Sequence, residues 1–181
     1  MGALQIEILD RSHALNAFDC GEEQLNKFLL VYALTASRSG QSRTYVALND
    51  IEVIGFYTLV VGEVSYDDAH ERMIRGMARH PVPVMVLARM GVAVSYQKRG
   101  VGTSLLKHAI LRTLDAAKIA GIRAMTVHAK NVTIRSFYEN FGFQASPTDP
   151  LHLFVLIKDL RGMQTLERTV SAKSADRTHG G

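Results

Sequence analysis

Pro81-Val-Pro-Val-Met-Val-Leu-Ala-Arg-Met-Gly-Val-Ala-Val94, then Ser95-Tyr96, then Gln97-Lys-Arg-Gly-Val-Gly102, is the stretch that decides the fold. Its first part is an almost continuous apolar run rich in β-branched residues, which suits a central strand covered on both faces. After Gly102 the spacing of Leu106, Ile110, Leu114 and Ala117 predicts a long amphipathic helix that ends at Gly121. Glycines between a strand and a helix let the backbone turn tightly, and the unpaired amides at the helix start point at whatever lies in front of them. That is an anion site, to which Lys98 and Arg99 add charge. The Gly-Lys-Ser/Thr ending of a Walker loop is missing, and so are the third glycine and the ribose-binding acid of a dinucleotide fingerprint.

Outward from this junction the chain alternates elements. Leu4 to Leu9 reads as a strand, and Asp19 with Glu22 resembles a capping arrangement for a helix with Leu25, Phe28, Leu29, Tyr32, Ala33 and Ala36 on one face, closed by Gly40. Arg43 to Leu48 and Glu52 to Val64 form a hairpin about Asn49-Asp50. Tyr66 to His80 is polar and reads as a short helix or loop. Arg123 to Ala129 is the next strand, and Asn131 caps a short helix whose face is Ile134, Phe137, Tyr138 and Phe141, ended by Gly142. Phe143 to Ala145 and Leu151 to Ile157 are the last strands. The order is that of an α/β domain with a single mixed sheet, expected to span residues 1–160, and residues 161–181 read as a polar C-terminal tail.

Composition agrees with this size. The 181 residues are 47% hydrophobic and 21% charged, enough for one domain with a real core. The longest apolar runs fall short of the roughly 20 residues of a membrane helix, and the N-terminus carries no targeting pattern, so no membrane role is expected. The single cysteine, Cys20, has no partner for a disulfide or a zinc site, which suits a reducing cytoplasm and a local structural role. The histidines show no metal-ligand spacing, and no metal is expected. The net charge is +4, but it is unevenly spread: Arg72, Arg75, Arg79, Arg89, Lys98, Arg99, Lys107 and Arg112 come in a stretch with no acid before Asp115. Such a stretch projects a positive field toward an anionic partner, the alternative being a solvated basic face.

Gln-x-x-Gly-x-Gly between a central strand and a long helix resembles the acetyl-coenzyme A loop of the GCN5-related N-acetyltransferases (GNAT). The segments Phe18-Asp-Cys-Gly, Ser42-Arg-Thr-Tyr-Val-Ala47, Pro81-Val-Pro-Val, Val127-His-Ala-Lys, Phe137-Tyr-Glu-Asn-Phe-Gly-Phe143 and Ser146-Pro-Thr-Asp-Pro150 resemble one branch of that superfamily. That branch is the bacterial toxins that acetylate aminoacyl-tRNA and are paired with a ribbon-helix-helix antitoxin. The resemblance covers about residues 4–160 and implies a sheet with a splayed central strand and helices packed on both faces.

The resemblance also implies roles. Acetyl-CoA is the donor, with main-chain groups of Met90, Gly91 and Val92 facing its pantetheine and thioester and the Val92 amide as the oxyanion donor. Gln97, Lys98, Arg99, Gly100, Val101, Gly102 and Thr103 would cradle the pyrophosphate, and Asn131 would approach the pantetheine arm. Tyr138 matches the general acid, since a phenol of pKa about 10 stays protonated at neutral pH; its place on the apolar helix face also fits plain packing. No glutamate stands out as a base, which suits an aminoacyl ester whose α-amine is less basic than lysine's. Ala93 departs from the family, where an acid often follows the strand's valine. Arg38, Arg43, Arg75, Arg79, Arg89 and Lys98 are the candidates for tRNA phosphate contacts. A homodimer is expected. Acetylation of a small amine or a protein N-terminus, and a non-catalytic binding module, are the competing functions.

Overall fold

The computed structural model describes residues 4–177. Strand β4 (Val82–Val92) organises the molecule. It lies antiparallel to β3 (Glu52–Val64) along its full length, from Val82 opposite Val64 to Val92 opposite Gly55. Toward β5 (Ala124–His128) it pairs in parallel only from Val84 to Leu87. The cause is local: Leu59 faces Leu87 and Thr58 faces Arg89, so Ala88 is an extra residue that bends β4. Beyond that bulge the two parallel strands part. The splayed central strand implied by the resemblance is therefore present.

The hairpin is as expected, with β2 (Arg43–Asn49) antiparallel to β3 and Asp50 at a φ of 53° in the turn. With β1 (Gln5–Ile8), β6 (Gln144–Ala145) and β7 (His152–Leu156) the sheet has seven strands in the order β1-β2-β3-β4-β5-β7-β6. One face packs on α4 (Val101–Ala116), α5 (Val132–Glu139) and the start of α6 (Ile157–Arg177), burying Tyr57, Leu87, Leu105, Leu106, Met125 and Leu160. The other face is covered beside β2 by a helical segment that buries Leu29 and Ala33 with Phe56. Beside β7 it is covered by α3 (Glu71–Ile74), whose Met73 packs with Val82, Val84 and Phe154. Alternation of side chains across the strands produces both cores from one layer of sheet.

Three expectations differ from the structure. Asp19 and Glu22 do not cap the first helix: Glu22 occupies the N-cap position but its side chain makes no capping bond, and Asp19 Oδ1 accepts from Gly21 N and Asn26 Nδ2, both at 2.8 Å. That helix runs as α1 (Glu23–Lys27), a π-helical turn (Phe28–Tyr32) and α2 (Ala33–Arg38). The extra residue of a π turn rotates the face, so Tyr32, expected inside, is 52% exposed beside Leu30 and Val31. The expected tail is helical as far as Arg177, because α6 begins where β7 ends, at Ile157, and continues through position 160 without a break. Its first turn is anchored by buried Ile157 and Leu160 and by an Asp159–Arg72 ion pair at 2.8 Å. Its apolar residues Ile157, Leu160, Met163 and Leu166 recur at every third position, so they drift around the helix and do not line one face. Residues 178–181 lie outside the described residues.

Candidate active site

Four elements meet where β4 and β5 part. The first is the end of β4. Ala93 N–H bonds the Ile54 carbonyl at 2.8 Å. Antiparallel ladders alternate bonded and non-bonded pairs, so Gly91, opposite Phe56, turns its main-chain groups to β3. Met90, opposite Tyr57, and Val92, opposite Gly55, turn theirs toward the side that β5 has left. The Val92 carbonyl is taken by Gln97 Nε2 at 3.0 Å. The Met90 and Val92 amides face the gap with no strand partner there. A Cβ on Gly91 would meet a Phe56 ring carbon at 3.0 Å and Cys20 Sγ at 3.3 Å, so glycine lets the neighbouring loop close on the strand.

The second element is the start of α4. Gly100 is its N-cap with φ +85°, a left-handed turn that L side chains resist, and it offers no capping side chain. The first intrahelical bond is Ser104 N to the Gly100 carbonyl, which leaves the amides of Val101, Gly102 and Thr103 pointing out of the helix. Lys98, at φ 60°, and Arg99 are exposed beside them, Arg99 lying 5.5 Å from the Tyr96 ring. A Cβ on Gly102 would stand 3.8 Å from a Val92 methyl and 4.0 Å from the Phe137 ring. Gly102 therefore sits where β4, α4 and α5 come together, with room for a ligand to approach its backbone.

The third element is α5. Asn131 caps it as expected, its Oδ1 accepting from Ile134 N at 3.0 Å, and its Nδ2 is left for another partner. Tyr138 lies on the inner face, 4% exposed, with the rings of Phe137 and Phe143 edge-on at 5.2 and 5.6 Å. Burial pushes its phenol above the ordinary range, and the hydroxyl has no hydrogen-bond partner among the described residues. The two readings of Tyr138 therefore coincide in space: the ring is core and the oxygen is unspent.

The fourth element escaped the sequence reading. The loop Asp19-Cys20-Gly21 lies against the end of β4: Val94 N bonds the Asp19 carbonyl at 2.9 Å and Gln97 Nε2 bonds the Cys20 carbonyl at 3.1 Å. Asn26 Oδ1 takes the Cys20 amide at 2.9 Å. Glu22, just beyond, pairs with Lys130 at the β5–α5 turn, so the loop reaches across from the β4 side to the β5 side. Contacts between positions about 80 and 110 residues apart leave no periodic signal; only the spelled-out segments Phe18-Asp-Cys-Gly and Val127-His-Ala-Lys mark their two ends. Burial raises the Cys20 thiol above its usual range, which keeps it protonated and suits packing rather than nucleophilic chemistry.

The basic residues are distributed unequally. Arg72 pairs with Asp159, Arg79 with Asp67 at 2.7 Å, and Arg112 with Asp115 at 2.8 Å, so part of the acid-free stretch is neutralised by acids from outside it. Arg38, at the end of α2, and Arg89, whose guanidinium lies 3.9 Å over the Phe28 ring, are exposed on the α1 side of the sheet. Arg75 follows α3 on that same side. Arg43 shares the opposite face with Tyr45 and Ala47, by strand alternation. Also on the α3 face is a cavity of about 360 Å³ lined by Asp68, His70, Met73, His152 and Phe154 among others; none of the expected cofactor residues lines it. Among the described residues, no cluster of three or more potential ligands could hold a metal ion.

A parted parallel strand pair, exposed strand amides and an unpaired helix start define an acyl-coenzyme A site, and these residues fit acetyl-CoA. The chain belongs to the GNAT acetyltransferases, whose domain model matches residues 40–145. It is 44% identical over 149 residues to a tRNA-acetylating toxin of Mycobacterium tuberculosis, covering 82% of this chain and 89% of that protein. The structure of AtaT complexed with acetyl-methionyl-tRNAfMet matches with a TM-score of 0.82 at 28% identity, covering 88% of this chain and 98% of the other. A tyrosine-to-phenylalanine mutant of AtaT bound to the C-terminus of the antitoxin AtaR and acetyl-CoA matches with a TM-score of 0.75 at 30% identity, covering 90% and 98%.

Proposed function

We infer that this chain transfers the acetyl group of acetyl-CoA to the α-amine of an aminoacyl-tRNA and is the toxin of a toxin–antitoxin pair. The observation that carries the reading is the Val92 amide, left free at the open end of the gap and adjoining Gly102 at the α4 start, in a chain 44% identical to a tRNA-acetylating toxin. Acetyl-CoA, when bound, supplies the acetyl group and a thiolate leaving group. The amides of Val101, Gly102 and Thr103 receive pyrophosphate oxygens, with Lys98 and Arg99 adding charge and Gly100 making the turn. Met90 and Gly91 shape the strand end along which the pantetheine lies, and Asn131 Nδ2 is free to bond it. Val92 N–H donates to the carbonyl oxygen that gains negative charge. Tyr138 holds the proton that the thiolate needs.

The acceptor side follows from the layers. Helix α4 occupies one face of the sheet, so the amine reaches the gap from the α1 and α3 face, where Arg38, Arg75 and Arg89 are available to phosphates and Arg79 is held by an exposed pair with Asp67. An α-amine with a pKa near 7.7–8.0 is partly neutral at cellular pH and needs no buried carboxylate base. We assign residues 1–160 as the acetyltransferase unit, a ribbon-helix-helix antitoxin as the neutralising partner, a homodimer as the assembly and the cytoplasm as the location. No helix among the described residues is long and apolar enough to cross a membrane. Radiolabelled acetyl transfer onto charged tRNA tests the reading, with uncharged tRNA and free amino acid as controls. Label on charged tRNA alone is expected; label on small amines or a protein N-terminus instead, or no transfer at all, overturns it.

A further inference from the structure

We propose that Gln97 is a positioning residue, its side-chain amide shared between the Val92 and Cys20 carbonyls so that the end of β4 is clamped to the Asp19–Gly21 loop and the Val92 N–H is held in its direction. The inference rests on the assignment of that N–H as the donor in acetyl transfer, and it moves Gln97 from the expected set of pyrophosphate contacts to a role one step behind the chemistry.

The geometry leads there directly. A strand amide lies in the peptide plane before its residue, and that plane keeps its direction when the plane after the residue is also held. On the near side the Gly91 carbonyl belongs to the β3 ladder, opposite Phe56. On the far side the plane holds the Val92 carbonyl and the Ala93 amide; Ala93 N is fixed on Ile54 at 2.8 Å, and the Val92 carbonyl is held by Gln97 at 3.0 Å. Strand β5, which would pair with this end of a regular parallel sheet, has already parted after Leu87. Gln97 replaces part of that missing support. Its second bond, to the Cys20 carbonyl at 3.1 Å, ties the same amide to a loop already fixed by Asn26, by Val94 N on Asp19 and by the Cys20 thiol facing Gly91. Both amide protons of Gln97 are thereby occupied within the protein. A glutamine that served the pyrophosphate would have to release one of these carbonyls.

The test uses Gln97→Met, which keeps the length of the side chain and removes both donors, together with Asn26→Leu, which loosens the loop from its other end. Acetyl-CoA affinity is measured by calorimetry, turnover at saturating acetyl-CoA on charged tRNA, folding by thermal melting, and the Val92 amide by hydrogen exchange and chemical shift in ¹⁵N-valine-labelled protein. Misplacement of a catalytic group by about 1 Å costs on the order of 100-fold in rate, so turnover of Gln97→Met is expected to fall by about 10- to 100-fold with acetyl-CoA affinity within about threefold of wild type. The Val92 amide should shift and exchange faster. Asn26→Leu should lower turnover in the same way, and the double variant should lose less than the product of the two losses. A weakened acetyl-CoA affinity with unchanged turnover at saturation would make Gln97 a cofactor contact and overturn the inference, as would an unchanged Val92 amide in folded Gln97→Met. Wild-type protein inactive on every charged tRNA would overturn the substrate reading instead, and the Val92 signal would still decide the clamp.

Discussion

At Tyr138 packing and the proposed chemistry fall on one residue, and a sequence cannot separate them. Its position at helical spacing between Ile134 and Phe141 makes it a core residue by pattern, and the structure buries its ring against Phe137 and Phe143. The proposed proton donor is its hydroxyl, which has no hydrogen-bond partner among the described residues, and helical spacing does not report that. Tyr138→Phe keeps the packing and removes the proton donor, so the variant should melt within a degree or two of wild type and bind acetyl-CoA normally. It should lose about 10²- to 10⁴-fold of acetyl transfer to charged tRNA and cease to arrest growth when expressed alone. Wild-type turnover by the variant would return Tyr138 to packing alone. The pH profile adds a second check with a definite sign. Burial disfavours the phenolate and raises the pKa, so the acid form persists beyond the ordinary phenol value of about 10. An alkaline decline in turnover that sets in below pH 9 in wild type and is absent from Tyr138→Phe would contradict this.

At the scale of elements, what the sequence made legible is what periodicity and punctuation encode. The apolar run before Ala93, the Asn49-Asp50 turn, the Asn131 cap and the Gly100 turn each have a local physical cause and each is found in place. The π turn at Phe28–Tyr32 and the Ala88 bulge were not legible, because a one-residue insertion is settled by what the element packs against, here Phe56 under Leu29 and the ladder with β3. Helix α6 is not legible because its apolar residues, spaced by three, do not share one face. The start of α4 offers the cleanest test at this scale. Gly102 has ordinary room around a Cβ, with 3.8 Å to the nearest heavy atom, and no left-handed φ. Gly102→Val should therefore fold with a melting temperature near that of wild type. Its side chain occupies the approach to the helix amides, so acetyl-CoA affinity should drop by at least about tenfold, since burying those amides behind a side chain forfeits more than 1.4 kcal/mol of anion contact. Gly100→Ala should behave oppositely, losing about 1–2 kcal/mol of stability because it forces an alanine into a left-handed turn. Calorimetry and thermal melting on both variants separate a ligand effect from a strain effect, and a destabilised Gly102→Val with intact affinity would make the loop a structural turn only.

For the whole molecule the question is which face meets a polyanion. The sequence shows a run of eight basic residues without an acid, but the fold returns Asp159, Asp67 and Asp115 to three of them. It then separates the remainder by face. In the proposed reaction the cofactor and the acceptor enter the gap between β4 and β5 from opposite sides. With α4 on one side, the proposed reaction expects the tRNA on the side of α1 and α3, where Arg89 lies on the Phe28 ring at the margin of the β4 bulge. Arg43 lies on the α4 side. Each phosphate contact adds about 0.7–0.9 to the slope of log affinity against log salt, so a side chain that neutralises one phosphate reveals itself by that decrement rather than by affinity at one salt concentration. Arg89→Ala should reduce the slope for charged tRNA by about that amount, measured by filter binding across a potassium chloride series. Arg43→Ala should leave the slope unchanged. Arg79→Ala should fall between them, because its exposed pair with Asp67 holds it only weakly. Equal decrements for Arg43 and Arg89 would mean that the nucleic acid wraps the edge of the sheet and reaches both faces. In that case the layer argument for a one-sided acceptor approach fails, even with the catalytic end of β4 intact.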